Sequence, residues 1–512
     1  MAIPEPRDDN GGSATVTRRI DQAHPAVVYE LLAILMSAVF VPMSFFRLID
    51  DDEGAYLLVS RLVVEGQLPY HDFFYPQMFL LPYVYGAWMK LVGYSWYGAR
   101  LLSAFFSIAL GLLLYRQAAH LAGARVWGVV AAVLFTFTSL AFGWYPLIKT
   151  FVLPTLLLFA AYAVLSARSR WKWLASGALL GLATDCRVYV VAVVPAFVVE
   201  LYLTEEDVKR RLMQLARFGV GLVLALLPNE LFFLIEPDTF LFNIVWNQVI
   251  RTDLGFLGGM GQKIKIVEQL LAIGGADGVT SFQFLLIFLL NVVACVSAAL
   301  SRERPSLAST VAVSLLLVSL VPTPVYAQYF CMPIPFLVVN AVAFLAKLAR
   351  EGSGPRLRHV LVSLTIIYVL VSPFDLYHYT LGRNNLADTR LPTIRAVGRA
   401  IDREVRAGRP FAISLWPGYL VETRASILPG MENHWAMMFS RSVTPHEAEQ
   451  FKLMSYPALV RHFQQHTVDV IVIGDWASDS QWMRPLIVKN GYVLKDRIAS
   501  TEIYTLQPDG RR

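Results

Sequence analysis

Cysteine is scarce in this chain: 512 residues contain only Cys186, Cys295 and Cys331. The count is odd, all three lie in or beside apolar runs, and no CxxC or Cys/His ligand spacing occurs. That excludes a disulfide framework and a structural zinc site. Charge is also scarce. Asp, Glu, Lys and Arg make up 16% of the residues, against about 25% in ordinary soluble proteins. A purely soluble enzyme and a charge-rich disordered chain are therefore both excluded.

What fills the space is apolar: 56% of the residues. A soluble globule of that composition would expose large apolar patches and aggregate. The apolar residues fall into runs of roughly 17–24, one of them shorter, and such runs cross about 30 Å of hydrocarbon as helices. About eleven are legible, at 27–47, 98–119, 126–144, 149–166, 172–185, 187–203, 218–235, 279–300, 307–322, 325–346 and 359–376. The expected fold is a polytopic α-helical membrane protein.

The placement of Lys and Arg orients these runs. With the N-terminus inside, the inner segments hold Arg18 and Arg19, Arg125, then Arg168, Arg170 and Lys172. Lys209, Arg210, Arg211 and Arg217 follow, then Arg302 and Arg304, then Lys347, Arg350, Arg356 and Arg358. Residues 1–26 are polar and precede a long apolar run without a small-residue cleavage site, which reads as a cytoplasmic tail and a signal anchor. Residues 27–377 form the membrane domain, with large outer loops at 48–97 and 236–278. Residues 378–512 fall outside the membrane. The net charge of +6 (44 basic, 38 acidic) sits mostly in inner loops, so it is no nucleic-acid footprint.

The tail has ordinary soluble composition. FAISLW (411–416), VDVIVIG (468–474) and EIYTL (502–506) have strand character. The intervening 445–466 reads as helical, with a cap at Thr444. This predicts a small α/β domain. It lacks GxGxxG, P-loop and GxSxG motifs, and so reads as a docking or acceptor-handling module.

The loop at 48–97 carries the strongest signal. Asp50, Asp51, Asp52 and Glu53 follow the first span directly. The next segment, AYLLVSRLVVEG, has apolar residues at helical spacing with Arg61 among them, and predicts an interfacial helix. MFLLPYVYGAWMKLV (78–92) is too short to span and rich in Tyr and Trp, which also places it at the interface. The acidic run has two readings, a solvated cap on a helix start or a functional cluster. Lys149 at the mouth of the fourth span, and Asp185 and Arg187 in the turn between spans five and six, lie at the same depth and favour the second. Carboxylates facing cations at an outer mouth suit a phosphate ligand and a polar group activated by a base. His71 beside Asp72, Trp246 and Arg251 in the second outer loop, and Glu432 and His434 in the tail are weaker candidates.

These elements resemble the membrane glycosyltransferases of the GT-C fold, in particular the family 39-like group of protein O-mannosyltransferases and the lipid A aminoarabinose transferase. The resemblance rests on Asp52-Glu53-Gly54-Ala55-Tyr56, Gly66-Gln67-Leu68-Pro69-Tyr70-His71-Asp72, Tyr75-Pro76 and Gly98-Ala99-Arg100-Leu101-Leu102. It continues in Gly177 to Ala183 with Arg187, and in Tyr326-Ala327-Gln328-Tyr329-Phe330 followed by Pro333 and Pro335. It implies an inverting transfer of a sugar from a polyprenyl-phosphate carrier to a glycan, lipid or protein acceptor on the outer face of the bacterial plasma membrane.

Residue by residue, the resemblance makes Asp52 the general base, with Asp51 as the alternative register, and Glu53 an orienting acid. Arg187 would hold the carrier phosphate, helped by Lys149 and Arg61. Tyr56, Asp72, Gln328 and Tyr329 would contact substrate. Where many relatives carry a second carboxylate between spans three and four, this chain has WYPLIKT with Lys149, and Asp72 or Asp185 are the substitutes at hand. No metal-ligand motif is present, and the resemblance leaves a divalent cation open. The competing functions are a polar-lipid transporter or flippase and a non-catalytic scaffold of envelope polysaccharide assembly. Charges gathered on one face, without matching repeats, favour chemistry at one surface.

Overall fold

The computed structural model describes residues 24–250, 254–271, 273, 280–351, 355–382, 386–405, 411–474 and 482–506, the side chains of 280–281 and 355–361 excepted. Arg18, Arg19 and Arg251 lie outside the described residues, as do the side chains of Arg356 and Arg358.

Each of the apolar runs coincides with a helix or a broken pair of helices. Among the described residues four helices are both long and apolar enough to cross a membrane: Pro25–Phe46, Trp96–Ala122, Val208–Ile235 and Phe282–Leu300. The apolar helices Arg125–Thr136, Val152–Ser166, Val188–Thr204 and Leu307–Ser319 are shorter, and three of the runs are interrupted. Run 126–144 divides into helices Arg125–Thr136 and Ser139–Trp144, where Thr138 turns its hydroxyl back onto the Leu134 carbonyl. Run 187–203 opens with a 3-10 turn, Val188–Val193, and run 325–346 opens with another, Ala327–Cys331. Irregular backbone of this kind is tolerated at membrane depth only where protein or a water-filled cavity surrounds it. Arg187, just before the first of these 3-10 turns, and residues 326–329 at the start of the second line the cavity described below.

Close packing follows from small residues. Helix Lys172–Cys186 lies against Val208–Ile235 so tightly that a Cβ on Gly177 or Gly221 would collide with the opposing backbone. Such contacts stand in for hydrophobic driving force between helices in lipid.

Two expectations change. Helix Glu53–Val64 is no interfacial helix, since all residues from Glu53 to Leu62 are buried. The tail folds over it, so protein covers the face that a headgroup layer was expected to cover. Arg61 is held there by carbonyls of the tail, donating to Leu420 over 2.9 Å and to Thr423 over 2.6 Å. The single helix expected over 445–466 is two, Pro445–Gln450 and Tyr456–Gln464. Ser455 caps the second, its hydroxyl accepting from the Ala458 amide. The Thr444 start is a full capping box with Glu447.

The tail carries a five-stranded sheet: β1 Phe411–Ser414, β2 Ser426–Ile427, β3 Val470–Ile473, β4 Tyr492–Ile498 and β5 Thr501–Leu506, in the order β2-β1-β3-β5-β4. β1 pairs parallel with β2 and β3, while β5 pairs antiparallel with β3 and β4. One hydrophobic core joins this sheet to residues 48–97. Ile413, Trp416 and Val470 share it with Ile49, Leu57, Tyr70 and Trp96, and the Trp96 and Trp416 rings stack at 6.0 Å.

Candidate active site

The acidic run lies in the turn between helices Pro25–Phe46 and Glu53–Val64 and leads into the second, and its residues point different ways. Glu53 turns inward. It is fully buried and accepts from Arg100 Nε at 2.9 Å and Nη2 at 2.5 Å, and from the amides of Ile148 at 3.1 Å and Asp50 at 3.1 Å. Asp50, Asp51 and Asp52 turn toward a cavity of about 450 Å³. Its walls include Tyr56 from helix Glu53–Val64, Trp144, Lys149 and Phe151, Arg187, and Tyr326 to Tyr329. Ile266 and Gln269 come from helix Gly255–Leu270, and Asn433, Trp435 and Phe439 from the tail.

Lys149 lies between the carboxylates. Its Nζ is 2.5 Å from Asp50 Oδ1 and 3.0 Å from Asp52 Oδ2, and it donates to Gln328 Oε1 over 3.3 Å. Burial works against the ammonium, yet Asp50 and Asp52 outweigh it and hold Lys149 above the ordinary lysine range. Burial and the Asp52 carboxylate push the Tyr56 phenol well up, so it is a neutral donor at working pH. Arg187 lines the same cavity. It bonds the Thr150 hydroxyl, and its guanidinium lies 4.6 Å from the Phe151 ring, 4.3 Å from Tyr189 and 5.0 Å from Tyr329. Its Nε is buried and has no hydrogen-bond partner among the described residues.

Of the residues singled out from sequence, Asp51, Asp52, Tyr56, Lys149, Arg187, Gln328 and Tyr329 come together here. Glu53 stands behind the wall and Arg61 faces the tail. Asp72 is bound to the Leu68 amide at 2.7 Å and borders a separate surface cavity. Asp185 is buried against Asn229 outside the cavity lining. His71 pairs with Glu236 at 3.0 Å, and Trp246 is exposed.

Sequence reasoning missed Asp50 as a Lys149 partner, Arg100 as the partner of Glu53, and Asn433 and Trp435 of the tail in the site, although it singled out their neighbours Glu432 and His434. Asp52 Oδ1 lies 3.5 Å from His434 Nε2 and 3.5 Å from the Trp435 indole nitrogen. Trp416 Nε1 donates to the Asp51 carbonyl over 2.8 Å. For a divalent cation, the carboxylates of Asp50 and Asp52 converge, but the Lys149 ammonium already stands between them. Among the described residues no group of three or more His, Cys, Asp and Glu could hold a metal ion.

The fold has solved relatives. ArnT from Cupriavidus metallidurans bound to undecaprenyl phosphate matches with a TM-score of 0.66 and 14% identity, over 95% of this chain and 99% of ArnT. The chain has the GT-C fold. The apo form of ArnT gives the same TM-score and identity over 94% and 98% of the two chains. The mycobacterial arabinofuranosyltransferase AftD matches with a TM-score of 0.53 and 14% identity, over 96% of this chain but 40% of AftD. Residues 76–230 match the family described as dolichyl-phosphate-mannose-protein mannosyltransferase. A comparison with curated protein sequences found no match. This GT-C chain is thus similar to membrane glycosyltransferases of the protein mannosyltransferase and ArnT type.

Proposed function

We propose that the chain is an inverting glycosyltransferase that moves a sugar from a polyprenyl-phosphate carrier to an envelope glycan, lipid or protein. It would act at the outer face of a bacterial plasma membrane, with about eleven spans, a cytoplasmic N-terminus and an extracytoplasmic tail. One observation carries this reading: the Asp50–Asp52 carboxylates and the buried Arg187 guanidinium line a single cavity. ArnT, whose fold this chain shares, was solved with undecaprenyl phosphate bound.

The chemistry divides between the carboxylates and Arg187. Asp52 takes the proton of the acceptor nucleophile as that atom bonds to the anomeric carbon from the face opposite the phosphate. The bond from that carbon to the phosphate oxygen breaks, and the charge that gathers on the phosphate lies on Arg187, preorganised by its rings and Thr150. Tyr56, Gln328 and Tyr329 line the space between, where the sugar would sit. Glu53 and Arg61 act at one remove, by fixing the acidic loop and by tying the tail down.

The test is sugar transfer in membranes supplied with polyprenyl-phosphate sugars. Asp52→Asn is expected to abolish transfer while expression and carrier binding persist. Full transfer by both Asp52→Asn and Asp51→Asn would overturn the base assignment. If the wild-type chain instead moved lipid between leaflets of reconstituted vesicles with no acceptor glycosylated, the transferase reading itself would fall.

A further inference from the structure

We infer that Lys149 is the resident cation of this site, neutralising Asp50 and Asp52 in the position a divalent metal ion would otherwise take, and that it is not a ligand of the carrier phosphate. The inference rests on the transferase reading only for its place in catalysis. The geometry stands without it. An ammonium has three hydrogens to donate, and three oxygens surround this one: Asp50 Oδ1 at 2.5 Å, Asp52 Oδ2 at 3.0 Å and Gln328 Oε1 at 3.3 Å. The side chain is 2% exposed, and the Trp144 and Phe151 rings lie 5.3 and 5.7 Å from Nζ.

Two carboxylates held against one point do not both stay ionised unless a cation sits between them. Hard divalent ions fill that role with six or so oxygens. Here a covalently tethered charge fills it from the loop that precedes helix Val152–Ala163. With Lys149 so engaged, Arg187 is the other cation among the described residues of the cavity wall. Base and leaving group are then served by different cations. The Asp52 oxygen that Lys149 does not bind, Oδ1, faces His434 and Trp435.

The full-length protein in nanodiscs provides the test, with Mn2+ as the probe, followed by paramagnetic resonance and by thermal unfolding with and without EDTA. Wild-type protein is expected to bind no Mn2+ at this site and to melt at the same temperature with EDTA. Lys149→Met should leave the two carboxylates uncompensated, lower the melting point, and raise Mn2+ affinity about tenfold or more. Added Mn2+ should restore its melting point. The double variant Lys149→Met/Asp50→Asn should regain stability with no Mn2+ response.

Undecaprenyl phosphate binding should survive in Lys149→Met supplied with Mn2+ and be lost in Arg187→Met. The proposal is overturned if wild-type protein binds one Mn2+ that Asp52→Asn abolishes. It is equally overturned if Lys149→Met loses undecaprenyl phosphate binding and gains no Mn2+. The wild-type measurement needs no variant, so the proposal stays exposed even if Lys149→Met does not fold. These readouts need no sugar transfer, so their failure is distinguishable from failure of the transferase reading.

Discussion

Arg100 grips Glu53 with both prongs of its guanidinium, Nε to Oε1 over 2.9 Å and Nη2 to Oε2 over 2.5 Å, and neither side chain reaches solvent. Arg100 also donates to the Arg47 carbonyl at 2.7 Å, and Glu53 receives the amides of Asp50 and Ile148. The pair therefore pins the acidic loop to the loop that carries Lys149. Removing one partner of a buried ion pair costs about 3–5 kcal/mol, because the other charge stays buried alone. Arg100→Met is expected to lower the melting point of the purified protein steeply. Asp51→Asn, on an exposed side chain, should leave it unchanged. A wild-type melting point for Arg100→Met would show that Glu53 is held by its two amides alone.

Gly54 sits where the acidic loop meets the tail. A Cβ there would lie 2.7 Å from Gly418 Cα and 2.8 Å from Trp416 Cε2. Gly418 offers backbone, which cannot swing aside as a side-chain tip can. Gly54→Ala is thus expected to push the Trp416 segment off the loop and to break the indole bond to the Asp51 carbonyl. Limited proteolysis should then cut the tail faster than in wild type, and transfer should fall although no reacting group has changed. Unaltered proteolysis would mean that the tail yields without separating.

How much of this was legible in the sequence depended on distance along the chain. The apolar runs, β1, β3, β5 and the Thr444 capping box are local patterns, and each was readable. The helical period of 53–64 was readable too, but not what covers it, since protein and lipid headgroups leave the same apolar spacing. β2 is two residues long and β4 has a largely exposed edge, YVLKDRI, so neither shows the alternation of a half-buried strand. The break before Tyr456 has a local signal, Ser455-Tyr-Pro, a cap residue with proline in the first turn. At the site, Lys149 and Arg187 were grouped with the acidic run because charges at one membrane depth meet. The contact of Asp52 with Trp435 spans 383 residues, and no local pattern announces such a closure.

Glu432 makes stability depend on pH. It is buried beneath the site-facing segment, its carboxyl oxygens accepting from the Gly430 amide, and burial raises its pKa from 4.5 to about 8. A carboxyl raised in the folded state binds its proton more tightly there than in the unfolded chain. Its contribution is full below about pH 4.5 and is lost as pH climbs through about 8. Between those limits stability should fall by at most about 1.4 kcal/mol per pH unit from this group. Glu432→Gln should flatten that slope in chemical denaturation followed from pH 5 to pH 9. An equal slope in both proteins would remove Glu432 as its cause.

His434 connects the tail to Asp52, the proposed base. Its Nε2 lies 3.5 Å from Asp52 Oδ1, its side chain is 8% exposed, and it stands behind the cavity wall formed by Asn433 and Trp435. It is a positioning residue on this geometry, since the carboxylate stands between it and the space for substrate. The charged and titratable groups around Asp52 are Asp50 and Asp51 on its own loop, Tyr56 on the following helix, Lys149 and Arg187. His434→Phe removes one of the partners that orient Asp52 and leaves the rest in place. Transfer should fall about tenfold, which is 1.4 kcal/mol of barrier, mainly in kcat. The acid limb of the kcat/KM profile should also move, and His434→Gln should recover part of the rate. In an Asp52→Asn background, His434→Phe should cost nothing further, because its effect passes through that carboxylate. If His434→Phe kept the wild-type pH profile and lost only stability, the contact would be structural and the tail would serve the site by shape alone.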